Sequence, residues 1–79
     1  MNIHYYKNFI KIAELGNIST ASKTLLIAQP SLSKQIKTLE TEFGTPLLKR
    51  NARNVELTTA GEIFYQKAKL ICEINNTCY

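Results

Sequence analysis

Apolar side chains recur along the chain at the spacing of α-helices, and this periodicity predicts four helical segments. The first helix covers the N-terminal part and ends at Gly16, because glycine adopts the left-handed conformation without a Cβ penalty. The second helix, over 19–26, is short, and Asn17 or Ser19 is a candidate for its N-cap. The first helix presents a single apolar stripe, which consists of Tyr6, Phe9, Ile10 and Ala13.

The third predicted helix has two faces of opposite character. It begins near Pro30, since proline is tolerated in a first helical turn, and it ends at Gly44, two residues before Pro46. One face is an apolar seam that is expected to be buried, and the opposite face is polar and basic. The apolar seam consists of Leu32, Ile36, Leu39 and Phe43, and the polar face of Pro30, Ser33, Lys34, Lys37 and Thr41.

A small β-hairpin and a long last helix follow. Two short strand-like runs, 47–50 and 55–57, flank a polar four-residue turn, which indicates the hairpin. Thr58 and Thr59 are N-cap candidates for the last helix, and Thr59 with Glu62 matches a capping box. The apolar stripe of this helix is wide, and nothing else in so short a chain covers it. Such a stripe is typical of a helix that meets a partner.

Composition narrows the class of protein. The chain has 79 residues, of which 44% are hydrophobic and 20% charged, as expected for one small folded domain. No apolar run approaches the ~20 residues that a membrane span requires. The first residues lack the basic start and apolar stretch of a signal peptide. We therefore expect a cytoplasmic protein that does not associate with membranes.

Positive charge is concentrated in the first three-quarters of the chain. Lysines and arginines number 10 against 6 acids, for a formal net charge of +4. Residues 1–58 hold eight of the basic residues and four of the acids, whereas the charges of 59–79 balance. Lys49, Arg50 and Arg53 fall within five residues. A basic patch of this kind predicts a polyanionic partner, nucleic acid first.

Catalytic chemistry has little support in the sequence. His4 is the single histidine, and the three glycines are scattered rather than gathered in a phosphate-binding loop. Cys72 and Cys78 lack metal-ligand spacing. Being six residues apart in one predicted helix, they are also too distant for a disulfide and are expected as reduced thiols. We expect neither an enzyme nor a bound cofactor or metal.

Two helices joined by a tight turn and followed by a basic hairpin resemble a winged helix-turn-helix. Residues 28–40 read Ala-Gln-Pro-Ser-Leu-Ser-Lys-Gln-Ile-Lys-Thr-Leu-Glu and resemble the recognition-helix signature of LysR-type transcriptional regulators. Residues 44–50 resemble the entry to the wing in that family, and 57–61 its entry to the linker helix. The resemblance covers roughly residues 3–75.

The resemblance implies a mainly α fold of two parts. A winged helix-turn-helix of three helices and a small β-hairpin wing occupies 1–58, and a linker or dimerisation helix occupies 59–79. The sequence departs from the family at three positions. Ala28 stands where serine usually caps the recognition helix, Leu48 where phenylalanine is common, and Ala52 where the wing commonly has glycine.

The resemblance also implies sequence-specific binding of double-stranded DNA, with the recognition helix in the major groove and the wing at the minor groove. Gln29, Pro30 and Lys34 are expected at base edges and Ser33 at a base or a phosphate, although helix-start chemistry also explains Gln29 and Ser33. Lys37 is expected at a phosphate or in solvent, and Arg50 at DNA or paired with Glu40 or Glu42. The full set of expected DNA contacts is Thr20, Lys23, Gln29, Pro30, Ser31, Ser33, Lys34, Lys37, Arg50 and Arg53.

The family further implies a homodimer that reads an interrupted inverted repeat through two recognition helices. An effector small molecule is expected only if the parent protein carries a C-terminal effector domain. The alternative is a winged-helix interaction module that dimerises with full-length relatives through the last helix. The expected dimer contacts are Ile63, Phe64, Ile71 and Ile74, with Ile63 and Phe64 alternatively packing on their own domain.

Overall fold

The computed structural model describes residues 3–51 and 54–75, and in this part of the chain four helices and one hairpin form in the expected order. The helices are α1 (Ile3–Leu15), α2 (Ile18–Leu25), α3 (Gln29–Phe43) and α4 (Thr59–Asn75). The hairpin strands are β1 (Leu48–Arg50) and β2 (Val55–Leu57), which pair antiparallel. The predicted mainly α winged helix-turn-helix with a long following helix is confirmed.

Local capping chemistry sets the boundaries between α1, α2 and α3. Gly16 follows α1 with a φ of +68°, as predicted for its C-terminal residue. Asn17, rather than Ser19, caps α2, because its side-chain oxygen accepts a hydrogen bond from the Thr20 N–H at 2.9 Å. Ala28 precedes α3 without a side-chain cap, which is the consequence expected of alanine at this position. The turn between α2 and α3 passes through Leu26.

Of the two predicted N-cap candidates for α4, the structure selects the first. Thr58 is the N-cap, since its hydroxyl accepts a hydrogen bond from the Gly61 N–H at 2.9 Å and donates one to the Pro46 carbonyl at 2.8 Å. Thr59 is already helical, so it does not form the predicted capping box with Glu62. The Thr58 hydroxyl therefore joins the first turn of α4 to the segment before the wing.

The apolar core lies where α1, α3 and α4 meet. Three residues of the predicted α3 seam are fully buried, but the fourth, Phe43, is about half exposed at the end of the helix. The core is closed on one side by the first residues of the wing. Its largest fully buried side chains are Phe9, Ile12, Leu32, Ile36, Leu39, Leu47 and Cys72.

Phe64 belongs to the core of its own chain. It is 5% exposed, and its ring packs edge-on against Phe43, Phe9 and Tyr6, with ring centroids 4.6, 4.9 and 5.4 Å away. A ring enclosed in this way has no surface to offer a second copy. Phe64 therefore packs on its own domain, which is the alternative expected for this residue, and its enclosed ring is not available as a dimer contact.

The prediction of reduced cysteines is also wrong for Cys72, which is buried and disulfide-bonded. The prediction rested on the assumption of one continuous helix through both cysteines, and α4 is described as far as Asn75. Cys78 lies outside the described residues. Within those residues, no helix has the length and apolar character needed to cross a membrane.

Candidate nucleic-acid interface

The outer face of α3 is polar and accessible along its whole length. Gln29, Pro30 and Ser31 in the first turn are exposed, and Lys34 and Lys37 follow on the exposed side of the helix. Ser33, beside them, is half-buried. The inner face is held in the core by leucine and isoleucine side chains, so the helix presents these polar groups outward from a rigid base.

An open groove of about 840 Å³ runs between α3 and the beginning of the wing. Four of the predicted contact residues on α3 line it, and Arg50 of β1 lines it as well. Residues from two elements, far apart in sequence, are therefore brought to one surface. The predicted residues that share this groove are Pro30, Ser33, Lys34, Lys37 and Arg50.

The position of Arg50 follows from two anchors that hold the wing. The Glu40 carboxylate accepts hydrogen bonds from the backbone N–H groups of Leu47, at 2.8 Å, and Leu48, at 3.1 Å. On the other strand, the Val55 N–H donates to the carbonyl of Gly16 at 2.9 Å. The hairpin is thereby tied both to α3 and to the turn before α2.

Charge on the groove is divided between its ends. The acids Glu40 and Glu42 lie toward the C-terminal end of α3, as the sequence indicates. Arg50 forms no ion pair with either of them, although all three residues lie in the described part of the chain. The guanidinium is therefore available to an external anion, and the alternative of a structural ion pair is wrong.

A second, smaller cleft of about 250 Å³ joins the start of α3 to the wing. Gln29 and Arg50 line it together with Asn17, Ser19 and Asn54. Sequence reasoning missed the last three as site residues, because it interpreted them only as capping and turn residues. The sequence pattern that could have identified these three residues is the occurrence of short polar side chains at both the start of a helix and the base of a hairpin.

Three of the predicted contacts line neither the groove nor the cleft. They are Thr20 and Lys23, which are exposed on α2, and Ser31, which is exposed in the first turn of α3. Arg53 lies outside the described residues. In the described ranges, no group of three or more histidine, cysteine or acidic side chains is arranged to hold a metal ion.

α4 carries an exposed apolar stripe on the side away from the core. Ile63, Leu70 and Ile74 are each more than half exposed, and their spacing of seven and four residues places them on one helix face. Ile71 is half-buried. Leu70 was missed from the sequence, where Phe64 and Ile71 were assigned to the seam instead. The stripe therefore includes two predicted dimer contacts, Ile63 and Ile74, and one new residue.

Known proteins resemble this chain over most of its length. The family model described as "Bacterial regulatory helix-turn-helix protein, lysR family" matches residues 3–62. The HTH-type transcriptional regulator BudR of Raoultella terrigena is 50% identical over 74 residues, which are 94% of this chain and 24% of that protein. BudR of Klebsiella aerogenes is 46% identical over 76 residues, 96% of this chain and 53% of that protein. The chain thus spans from about a quarter to about half of the length of these relatives.

Solved structures agree with this relationship. A crystal structure of a CbnR DBD–DNA complex superposes with a TM-score of 0.92 and 39% identity, covering 96% of this chain and 87% of that chain. A complex of BenM DBD with catB site 1 DNA gives a TM-score of 0.86 at 39% identity, and the match covers 96% of this chain and 86% of that chain. The family match, the relatives and the architecture coincide, and the chain belongs to the lysR family of bacterial regulatory helix-turn-helix proteins.

Proposed function

We propose that this chain is the DNA-binding module of a LysR-type transcriptional regulator and that it binds double-stranded DNA with sequence preference. The observation that carries the proposal is the groove that collects the polar face of α3 and the Arg50 guanidinium on one surface. Similar folds have been solved in complexes with DNA. In this proposal 1–58 reads DNA, 59–79 pairs two copies, and the protein acts in the bacterial cytoplasm without catalysing a reaction.

The proposed reader is the N-terminal half of α3. An α-helix fits the major groove, where every base pair displays a distinct pattern of donors and acceptors. The exposed Gln29 amide is able to bond adenine in bidentate fashion, and the Lys34 ammonium to donate to guanine O6 and N7. Pro30, exposed between them, offers an apolar contact to a thymine methyl group. These three residues supply the sequence preference.

The remaining contacts are assigned to the DNA backbone. Lys37 lies farther along the same face of α3, and Ser31 and Ser33 flank the reading residues. Arg50, which is free of both nearby acids, faces the minor groove or its phosphates. Thr20 and Lys23 on α2 are assigned to phosphates outside the groove. Phosphate contacts set the register and supply much of the affinity without choosing sequence.

The apolar stripe of α4 is assigned to pairing with a second copy. Ile63, Leu70 and Ile74 lie on one exposed face of α4, with Lys67 between Ile63 and Leu70 and with Ile71 at the edge. Two copies related by a two-fold axis place their α3 helices on successive major grooves, so the site is an interrupted inverted repeat. A Leu70→Glu substitution is expected to shift the protein toward monomer in sedimentation velocity and to weaken binding to the full site more than to a half-site.

The test begins with selection of binding sites from a random pool of short duplexes at several salt concentrations. Enrichment of an interrupted inverted repeat, bound with a steep salt dependence, is the expected result. Sequence-blind binding would contradict the proposed preference of α3. Absence of binding even at low salt would overturn the proposal and favour an interaction module that pairs with relatives through α4.

Variants of single basic residues then test the map of contacts. Lys34→Ala is expected to cost about 1–3 kcal/mol on the selected site and to relax the base preference at one position. Arg50→Ala is expected to weaken binding to all duplexes and to lower the salt slope by about one. Lys69→Ala removes the same charge from the exposed side of α4 and serves as the matched control.

A further inference from the structure

One polar side chain lies in the core of the described residues, and it reaches toward α3. Asn8 on α1 is 5% exposed, with apolar residues before and after it along the inner face of that helix. Its Nδ2 donates a hydrogen bond of 2.6 Å to Oε1 of Gln35, which is half-buried on α3. The bond joins residues 27 positions apart in the chain.

Glu40 also ties α3 to the wing through two directional hydrogen bonds, but the other contacts between α3 and the remaining helices are apolar and therefore have no direction. Leu32, Ile36 and Leu39 anchor the helix in the core, but hydrophobic attraction depends on buried area rather than on orientation. Cores filled only by apolar groups of suitable volume lose their uniqueness before they lose their stability. The bond between Asn8 and Gln35 does have a direction, and a rotated α3 would leave the buried amide without its partner.

A small rotation of α3 matters because of the residues next to Gln35. Lys34 precedes it directly, and Ser33 and Lys37 lie two residues to either side. A helix with its side chains has a radius of about 5–6 Å, so a rotation of about 10° displaces outer atoms by about 1 Å. That displacement is about a third of a hydrogen-bond length and is enough to misalign a bidentate contact with a base edge.

We propose that Asn8 is a positioning residue for DNA recognition, acting through Gln35 to hold the rotation of α3 about its own axis. The inference rests on the proposed function of α3 as the reading helix. It assigns sequence preference partly to a residue of α1 that faces the core and touches no DNA. The hydrogen bond contributes to discrimination between sites more than to the stability of the fold.

The test replaces both amides by apolar groups of similar size, as Asn8→Leu with Gln35→Met. This double variant removes the bond without leaving an unpaired amide in the core, so it is expected to retain or raise the thermal unfolding temperature. Dissociation constants are measured at one salt concentration for the selected duplex and for a scrambled duplex. The specificity ratio is the dissociation constant for the scrambled duplex divided by that for the selected duplex. We expect this ratio to fall about tenfold, which corresponds to about 1.4 kcal/mol.

Two further variants separate positioning from a structural role. Ile12→Val on α1 trims the core while both amides and their hydrogen bond are kept, so it is expected to lower the unfolding temperature and leave the ratio unchanged. The exchanged pair, Asn8→Gln with Gln35→Asn, conserves the combined length of the two side chains and is expected to recover the ratio. Should the apolar double variant not fold, the exchanged pair and Asn8→Leu alone supply the comparison, since Asn8→Leu leaves only the half-buried Gln35 amide without its partner.

A folded variant without the bond that keeps the parent ratio within twofold would overturn the inference while leaving the proposed function intact. The inference would also be overturned if Ile12→Val lowered the ratio as much as the variant without the bond does, for an equal fall in unfolding temperature. A parent protein that shows no preference for any selected duplex would instead overturn the proposed function, and this inference with it.

Discussion

The carboxylate of Glu40 accepts a hydrogen bond from the backbone N–H of Leu47 at 2.8 Å, and the same oxygen accepts one from Leu48 at 3.1 Å. Glu40 lies in the last third of α3, and the two amides lead into β1. A single acidic side chain therefore joins the proposed reading helix to the wing. Although this side chain also lines the groove, its negative charge is partly offset by the two backbone donors that it accepts from.

Glu40→Ala is expected to lower the free energy of unfolding by about 1–3 kcal/mol, because it leaves two partly buried backbone donors without an acceptor. The measurement is urea denaturation followed by circular dichroism. Glu42→Ala, which removes an equal charge from an exposed side chain of the same helix, is the control and should change stability by less than about 0.5 kcal/mol. Equal losses from the two variants would contradict the anchoring role.

Gly61→Ala is expected to destabilise the protein, although alanine in a helix interior normally gains about 1 kcal/mol over glycine. A Cβ at Gly61 would lie 1.9 Å from the carbonyl oxygen of Leu47 and 2.9 Å from its carbonyl carbon, so backbone has to move. The expected loss is about 1–3 kcal/mol in thermal or urea unfolding. Gln66→Ala at an exposed site of the same helix is the reference, and a more stable Gly61→Ala protein would refute the close approach.

Leu26→Asn is expected to stabilise the protein by about 0.5–1 kcal/mol, since asparagine tolerates the left-handed conformation that leucine adopts at a cost. Leu26 has a φ of 58° and is 92% exposed, so nothing is lost from the core. The conformation arises because the Ile27 N–H bonds to the Ser22 carbonyl at 3.0 Å while the Ile27 side chain turns toward the core. Leu26→Val, β-branched, should shift the unfolding midpoint in the opposite direction.

Stability is expected to decline in alkaline solution through Tyr6. Burial raises the pKa of this phenol above its ordinary value of 10.0, and the nearby Glu42 carboxylate raises it further. The folded protein thus holds the phenolic proton to higher pH than the unfolded chain does. The resulting stabilisation is fully present below about pH 10 and is lost as pH rises through the raised pKa of Tyr6.

Tyr6→Phe removes this ionisation and should make the alkaline decline shallower in unfolding measurements between pH 8 and pH 11, a range of about 3 units centred near the phenol pKa. At the lower end of the range, parent and variant should differ by a constant amount, which reports the lost hydroxyl alone. Parallel curves over the whole range would show that Tyr6 does not carry the effect.

The sequence by itself determined the elements, their order and the family resemblance. Helix ends depend on interactions within a few residues, so Gly16, Asn17 and Gly44 were recognisable without knowledge of the remaining fold. The polar face of α3 was equally evident from its periodicity. The motifs of α3 and of the wing entry are contiguous, and they indicated the family that the comparisons show.

Only the tertiary structure decided which residues of different elements meet. The helical period of α4 is compatible with Phe64 on either side, and packing against Phe9 and Phe43 places it inward, which leaves Leu70 on the exposed stripe. The role of Glu40, and the bond between Asn8 and Gln35, depend on partners outside their own helices. Such contacts arise from the way helices pack in three dimensions, and no local pattern of residues encodes them.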